Sequence, residues 1–348
     1  MNRFLTDRRS FVSAVSFALA GLGSGSAFSQ SKPEKTKVGI AVASKASLEN
    51  LPLTIASRLG YFAGEGLEVE IRELGSGVKA LQSVVGGSND VVAGAFEQTI
   101  HLQSKNQFFR AFVLLGRAPQ IAVAICTKTL PLYKSVADLK GRKIGIAMAG
   151  SMAHTVTRSV LTRGGVAPQD VSFVELGSVG AAVSAVKSGQ IHAISCTEPL
   201  TNMLEHGGSV RIIADTRSLS GAQELFGGPM PAACVYAPVD FVQQNPKTIQ
   251  SLANAIVHAL KWLQTASPSD LIKEVPEAYQ IGDRSLYLAS FSKVREAIAL
   301  DGLITDEGVK TALRVVGRLD SSINLEKIDL ARTFTNEFSR KAKDKFRA

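Results

Sequence analysis

Gly150-Ser151-Met152 is where the chain first places chemistry at a defined spacing. It follows a short apolar run, 144–147, and opens a stretch from 152 to 163 in which Met152, Val156 and Val160 recur every four residues. That spacing is one helix face. A glycine-serine loop between strand and helix leaves backbone N–H groups without intrahelical partners, and the helix dipole adds to their attraction for negative charge. Ser151 and Met152 therefore offer N–H groups and a hydroxyl to an acid group. Gly177-Ser178 opens the next helical stretch, 179–187, in the same way. The unit ends in Cys196-Thr197-Glu198-Pro199, where Thr197 and Glu198 close the other side. A Glu198 carboxylate facing a cleft favours an amine or N–H donor; the alternative is a structural hydrogen bond. In the first half, Gly75-Ser76-Gly77 opens a helix through 85, and Gly94-Ala95 turns a strand into a helix. Ser76, Gly77, Gly94 and Ala95 are small enough to let a ligand reach the backbone. Asn50, at the start of a helical stretch with Pro52 in its first turn, adds one more wall and a plausible cap.

No catalytic set assembles from the rest. The nucleophile elbow, the phosphate loop and paired catalytic carboxylates are missing as patterns. His101, His206 and His258 lack metal-ligand spacing, and no cysteine sits in a Cys-x-x-Cys pair. The expectation is no enzyme, no cofactor and no metal. Cys126, Cys196 and Cys234 lie in apolar settings and read as small buried residues, with a Cys126–Cys234 disulfide left open. His154 and Arg158, four residues apart, are expected on a solvated helix face. Arg117 precedes a predicted crossing and could pair with an anion.

Strand–helix pairs position these loops. Gly75-Ser76-Gly77, helix, Gly86-Gly87, strand is matched by Gly177-Ser178, helix, Gly189, strand. Two similar α/β units imply two lobes, each a mainly parallel sheet flanked by helices, with ligands beyond the carboxyl ends of the strands. Apolar runs at 121–125 and 232–237 mark two crossings between lobes. The lobes are then 36–118 plus 231–348, and an inserted 122–228, joined by two hinge strands that allow closure. From Pro246 the pattern is helical, with further helices expected near 268–273, 283–299, 306–319 and 325–343. They read as a layer bracing the first lobe.

The chain has 348 residues, 45% hydrophobic and 20% charged, with a net charge of +9. That is the composition of a globular chain, not a disordered one. The basic excess is dispersed, and the run at 340–347 lacks the interleaved aromatics of a nucleic-acid surface. Residues 1–30 read as an export signal: Arg8-Arg9, then an apolar run from 12 to about 23 that falls short of the ~20 apolar residues of a membrane span. The paired arginines before Phe11-Val12 resemble a twin-arginine signal, with ordinary secretory export as the alternative. Cleavage is expected between 26 and 31, with no cysteine nearby for a lipid anchor.

A family resemblance accompanies these residues. Leu51-Pro52-Leu53-Thr54-Ile55-Ala56, Gly60-Tyr61-Phe62 and Gly66-Leu67 resemble the opening of periplasmic solute-binding proteins of ABC transporters, in the nitrate/sulfonate/taurine family. Asp138-Leu139-Lys140-Gly141-Arg142-Lys143-Ile144-Gly145, then Gly150-Ser151, and Gly189-Gln190-Ile191-His192-Ala193 with Glu198-Pro199, resemble that family's second lobe. His192 departs from it, standing where the family usually has an acidic residue. The resemblance implies the two-lobe periplasmic-binding-protein fold, type II-like, with one ligand in the cleft, and the helix-start N–H groups favour a small, anionic organic one of the sulfonate, carboxylate or nitrate type. It also implies a periplasmic monomer that delivers to an ABC permease in the inner membrane. The family includes carriers of thiamine-precursor pyrimidines, which the scarcity of aromatics in the predicted loops disfavours. Two rivals remain: an enzyme on the same architecture, whose thiamine-pyrimidine relatives use a cysteine-rich stretch unlike anything here, and a periplasmic sensor.

Overall fold

The computed structural model describes residues 32–280 and 282–348, so the export signal read in 1–30 lies outside the described residues. Among the described residues, ten strands form two five-stranded sheets. The first holds β1 (Lys37–Val42), β2 (Glu68–Glu73), β3 (Val91–Ala95), β4 (Phe109–Leu114) and, from far along the chain, β10 (Ala233–Pro238). The second holds β5 (Ile121–Cys126), β6 (Lys143–Ile146), β7 (Ser172–Glu175), β8 (Ala193–Thr197) and β9 (Val210–Asp215). The strand orders are β2-β1-β3-β10-β4 and β7-β6-β8-β5-β9.

The two sheets share one topology. Three parallel strands lie to one side, and a single reversed strand, β10 or β5, pairs antiparallel with both of its neighbours. In each sheet that reversed strand is the one laid down just after the chain crosses from the other lobe. The sheets are thus mixed, because a crossing segment enters from the opposite edge and runs back against the rest. β5 reads Ile-Ala-Val-Ala-Ile-Cys and is buried along its whole length, as a strand covered on both faces must be. β2 alternates acidic and apolar residues and forms an edge, where charge blocks further pairing.

The crossings are bonded to each other. Gln120 N–H donates to the Thr216 carbonyl (3.0 Å), and Gly116 and Ala232 bridge the other end through Gly116 N–H to Ala233 O (2.9 Å) and Ala232 N–H to Gly116 O (3.0 Å). Arg117, beside this hinge, donates through Nη2 to the Glu296 carbonyl at 2.5 Å.

The carboxyl-terminal region differs from expectation in two ways. The helix Pro246–Thr265 buries Ile249, Leu252, Ile256 and Leu260 in the first lobe's core, as its periodicity predicts. However, no helix spans 325–343: two single 3₁₀ turns precede a helix confined to Glu337–Phe346. Asn324 and Asp329 accept the N–H groups two residues on (3.1 and 3.0 Å), and that local bonding competes with the helix ladder. Nor do these helices brace the first lobe alone. Asn202 donates to Ser290 Oγ (3.1 Å), Lys293 pairs with Glu205 (2.8 Å), and Leu219 N–H donates to Glu296 (3.0 Å), so they also hold the second lobe.

All three cysteines are free. The disulfide left open above is ruled out by the sheets, since Cys126 lies in β5 of one and Cys234 in β10 of the other. His154 and Arg158 are not on a solvated face either. The His154 ring stands edge-on to Phe173 at 4.5 Å, its Nδ1 accepts from Gly150 N–H (3.0 Å), and Arg158 donates to the Leu319 carbonyl. Burial, with Arg158 adding to it, lowers the His154 pKa to about 4, so the ring is neutral.

Candidate functional site

Loops at the carboxyl ends of β1, β2, β3, β6, β7 and β8 meet between the sheets and enclose a cavity of about 300 Å³. That is the small end of the range for ligand sites. Three helices begin on its walls, each capped by a serine whose hydroxyl accepts a first-turn N–H: Ser76 from Lys79 (3.2 Å), Ser151 from His154 (3.4 Å) and Ser178 from Ala181 (3.1 Å). Each cap satisfies one N–H and leaves the others of that turn available to an acceptor in the cavity. Val78, Ile121, Ile146, Leu176, Ile194 and Leu200 supply the apolar walls.

The lobes touch on both sides of this space. Ser47 Oγ lies 3.5 Å from Thr197 Oγ1, and Leu48 N–H reaches the Glu198 carbonyl at 3.5 Å. Opposite, Gln98 donates to the Gly150 carbonyl (2.9 Å) and the Ser76 hydroxyl meets Met148 Sδ (3.2 Å). This is a closed arrangement.

Asn50, Ser76, Gly77, Gly94, Ala95, Ser151, Met152 and Thr197 all line the cavity. Asn50 does so without capping a helix, because its side chain donates to the Ser44 carbonyl (2.9 Å). Glu198 is the exception. It is 1% exposed and lies behind the wall. Its Oε1 accepts from Arg217 Nη1 at 2.5 Å and its Oε2 from Asn202 N–H at 3.0 Å. Arg217 also holds Asp215 at 2.6 Å. A buried carboxylate needs such partners, and with them it has little left for a ligand.

Other groups were not singled out from sequence. Glu49 and Glu73 are the ionisable carboxyls of the lining, and no lysine, arginine or histidine lines it among the described residues. Glu73 Oε2 already accepts from Lys45 N–H (2.7 Å). Glu49 makes no hydrogen bond or ion pair with another described residue, and burial pushes its carboxyl up to about 7. The available signal was its place: Glu49 sits in the loop that follows β1, at a strand's carboxyl end. Behind Gly94-Ala95, Glu97 is wholly buried, and among the described residues its oxygens meet no hydrogen-bond donor beyond an approach of the Thr155 side chain. Burial raises it to about 7, with Glu49 nearby adding to the shift.

The cavity thiol, Cys196, is pushed up to about 12 by burial and is no thiolate at neutral pH. Among the described residues no three His, Cys, Asp or Glu side chains group as metal ligands, and no helix is long and apolar enough to cross a membrane.

Two hinged α/β lobes closed over one small cavity define the periplasmic-binding-protein fold. Residues 31–276 match the NMT1-like family, and the chain belongs to it. A solved structure from Bordetella bronchiseptica RB50 is 49% identical, covering 91% of this chain and all of that one, with a TM-score of 0.89. The alkanesulfonate-binding protein SsuA from Xanthomonas axonopodis pv. citri, bound to MOPS, is 16% identical over 87% of this chain and 99% of its own, with a TM-score of 0.68. The periplasmic nitrate-binding protein NrtA from Synechocystis PCC 6803 is 18% identical over 90% of each chain, with a TM-score of 0.66.

Proposed function

We propose that this chain is the periplasmic solute-binding component of an ABC import system. It captures a small organic ligand in the inter-lobe cavity by closure about the two crossings, and delivers it to an inner-membrane permease. One observation carries the reading: both lobes contribute serine-capped helix starts to one enclosed cavity. Those N–H groups suit the acid group of a sulfonate, carboxylate or nitrate, and the apolar walls suit an organic body. Residues 1–30 act as the export signal in this reading, and the exported chain works as a monomer. No catalytic group is required, only a cleft whose affinity differs between open and closed states.

A thermal-shift screen of the chain from Ser31 tests this against taurine, alkanesulfonates, nitrate, aromatic carboxylates and aminopyrimidines. A ligand at 100 times its dissociation constant adds about 2.7 kcal/mol of stability. Small-angle scattering with a bound ligand should show compaction; a bound ligand without compaction refutes closure.

A further inference from the structure

We propose that Glu49 selects the ligand, and that the ligand carries a nitrogen donor, an amine or an amino-substituted ring, beside whatever acceptor the helix starts hold. The proposal rests on the reading of the cavity as a solute site. Glu49 lies in the turn Leu48–Asn50, and that turn is fixed from both sides. Asn50 is tied to the Ser44 carbonyl, and Leu48 N–H reaches Glu198 O in the other lobe. In the closed arrangement Glu49 is therefore held at the cavity wall, with its oxygens unclaimed by any described residue.

The lining gives this carboxyl no counter-charge. A carboxyl enclosed without a donor is held at a disadvantage in its ionised form. A ligand N–H removes the disadvantage by a charge-assisted bond, the stronger kind. A bare anion placed beside it does the reverse. The helix starts favour an acceptor and Glu49 favours a donor, so the two walls together call for both on one small molecule.

The experiment uses isothermal titration of the chain from Ser31 and its Glu49→Gln variant with matched pairs: taurine and ethanesulfonate, 4-aminobenzoate and benzoate, 4-aminopyrimidine and pyrimidine. In at least one pair the amino member should bind the wild type tenfold to a hundredfold more tightly. Glu49→Gln should erase that preference while leaving the des-amino member unchanged. Circular dichroism and an unchanged or higher melting temperature confirm that the variant folds. A wild-type preference for des-amino members, or an amino preference that survives Glu49→Gln, overturns the proposal and leaves solute capture standing. The second result would mean that a neutral Glu49 donates to an acceptor, which glutamine imitates. Failure of every compound to bind either protein overturns the solute-capture reading, and this inference with it.

Discussion

Two glutamates end up on facing sides of the cleft, in segments that touch. Glu49 belongs to the first lobe's turn at Leu48–Asn50, and Glu198 to the second lobe's loop after β8. The Leu48 N–H to Glu198 O contact joins the two segments directly. Glu198 is enclosed by Arg217 and Asn202, and its charge is spent on holding the second lobe together. Glu49 has no such neighbours and faces the cavity. The difference teaches that a carboxyl near a cleft is a binding group only where the fold withholds a partner from it.

The contrast can be broken from the Glu198 side first. Arg217→Ala strands Glu198 and Asp215 without their cation and should remove about 3–5 kcal/mol of stability in urea unfolding. A loss under 1 kcal/mol would mean that Glu198 finds water or another donor, and that the two glutamates are not so different. Next comes pH. Glu49 and Glu97 have pKa values raised from 4.5 to about 7, so the unfolded chain releases these protons before the folded chain does. Their contribution is fully present below about 4.5 and is lost as pH rises through 7, on the order of 3 kcal/mol for each group at most. Glu97→Gln should flatten the stability curve between pH 5 and 7; an identical slope in that variant contradicts burial as the cause.

Smaller effects sharpen the comparison. Glu198→Gln should lose about 1–3 kcal/mol, less than Arg217→Ala, because Arg217 keeps Asp215. Ser151→Ala removes a helix cap at the cavity and should lower stability by about 1 kcal/mol, with weaker binding of acid-bearing ligands in the same titrations. Lys293→Met removes the half-exposed link to Glu205 and the bond to Asn202 Oδ1 (3.1 Å), both between the carboxyl-terminal helices and the second lobe. Less than about 1 kcal/mol should be lost in denaturant, and a larger change would show that these helices control closure.

Much of the architecture was readable from residues. Four-residue spacing located the helix Met152–Arg163, and Gly-Ser pairs located the starts of others. Eight of the nine residues expected at the site line the cavity. The failures share one cause. Arg217 lies nineteen positions from Glu198, and nothing local announces that β9 and the segment after it return beside the β8 loop. Glu97 sits one turn beyond Gly94-Ala95, but the groups around it, Thr155, Cys234 and Tyr236, come from far along the chain. At 325–343 the apolar spacing suggested a helix, and the Asn324 and Asp329 side chains undid it.

By itself, then, the order of residues determined which segments become strands, where helices begin, and that small capped loops gather at strand ends. Those outcomes follow from periodicity, glycine conformational freedom and side-chain capping, all acting over a few residues. Only the tertiary structure decided that β5 and β10 run against their sheets, that the last helices hold both lobes, and which glutamate is left without a partner. Strand direction and the pairing of a charge depend on residues distant in sequence, and only burial brings those residues together.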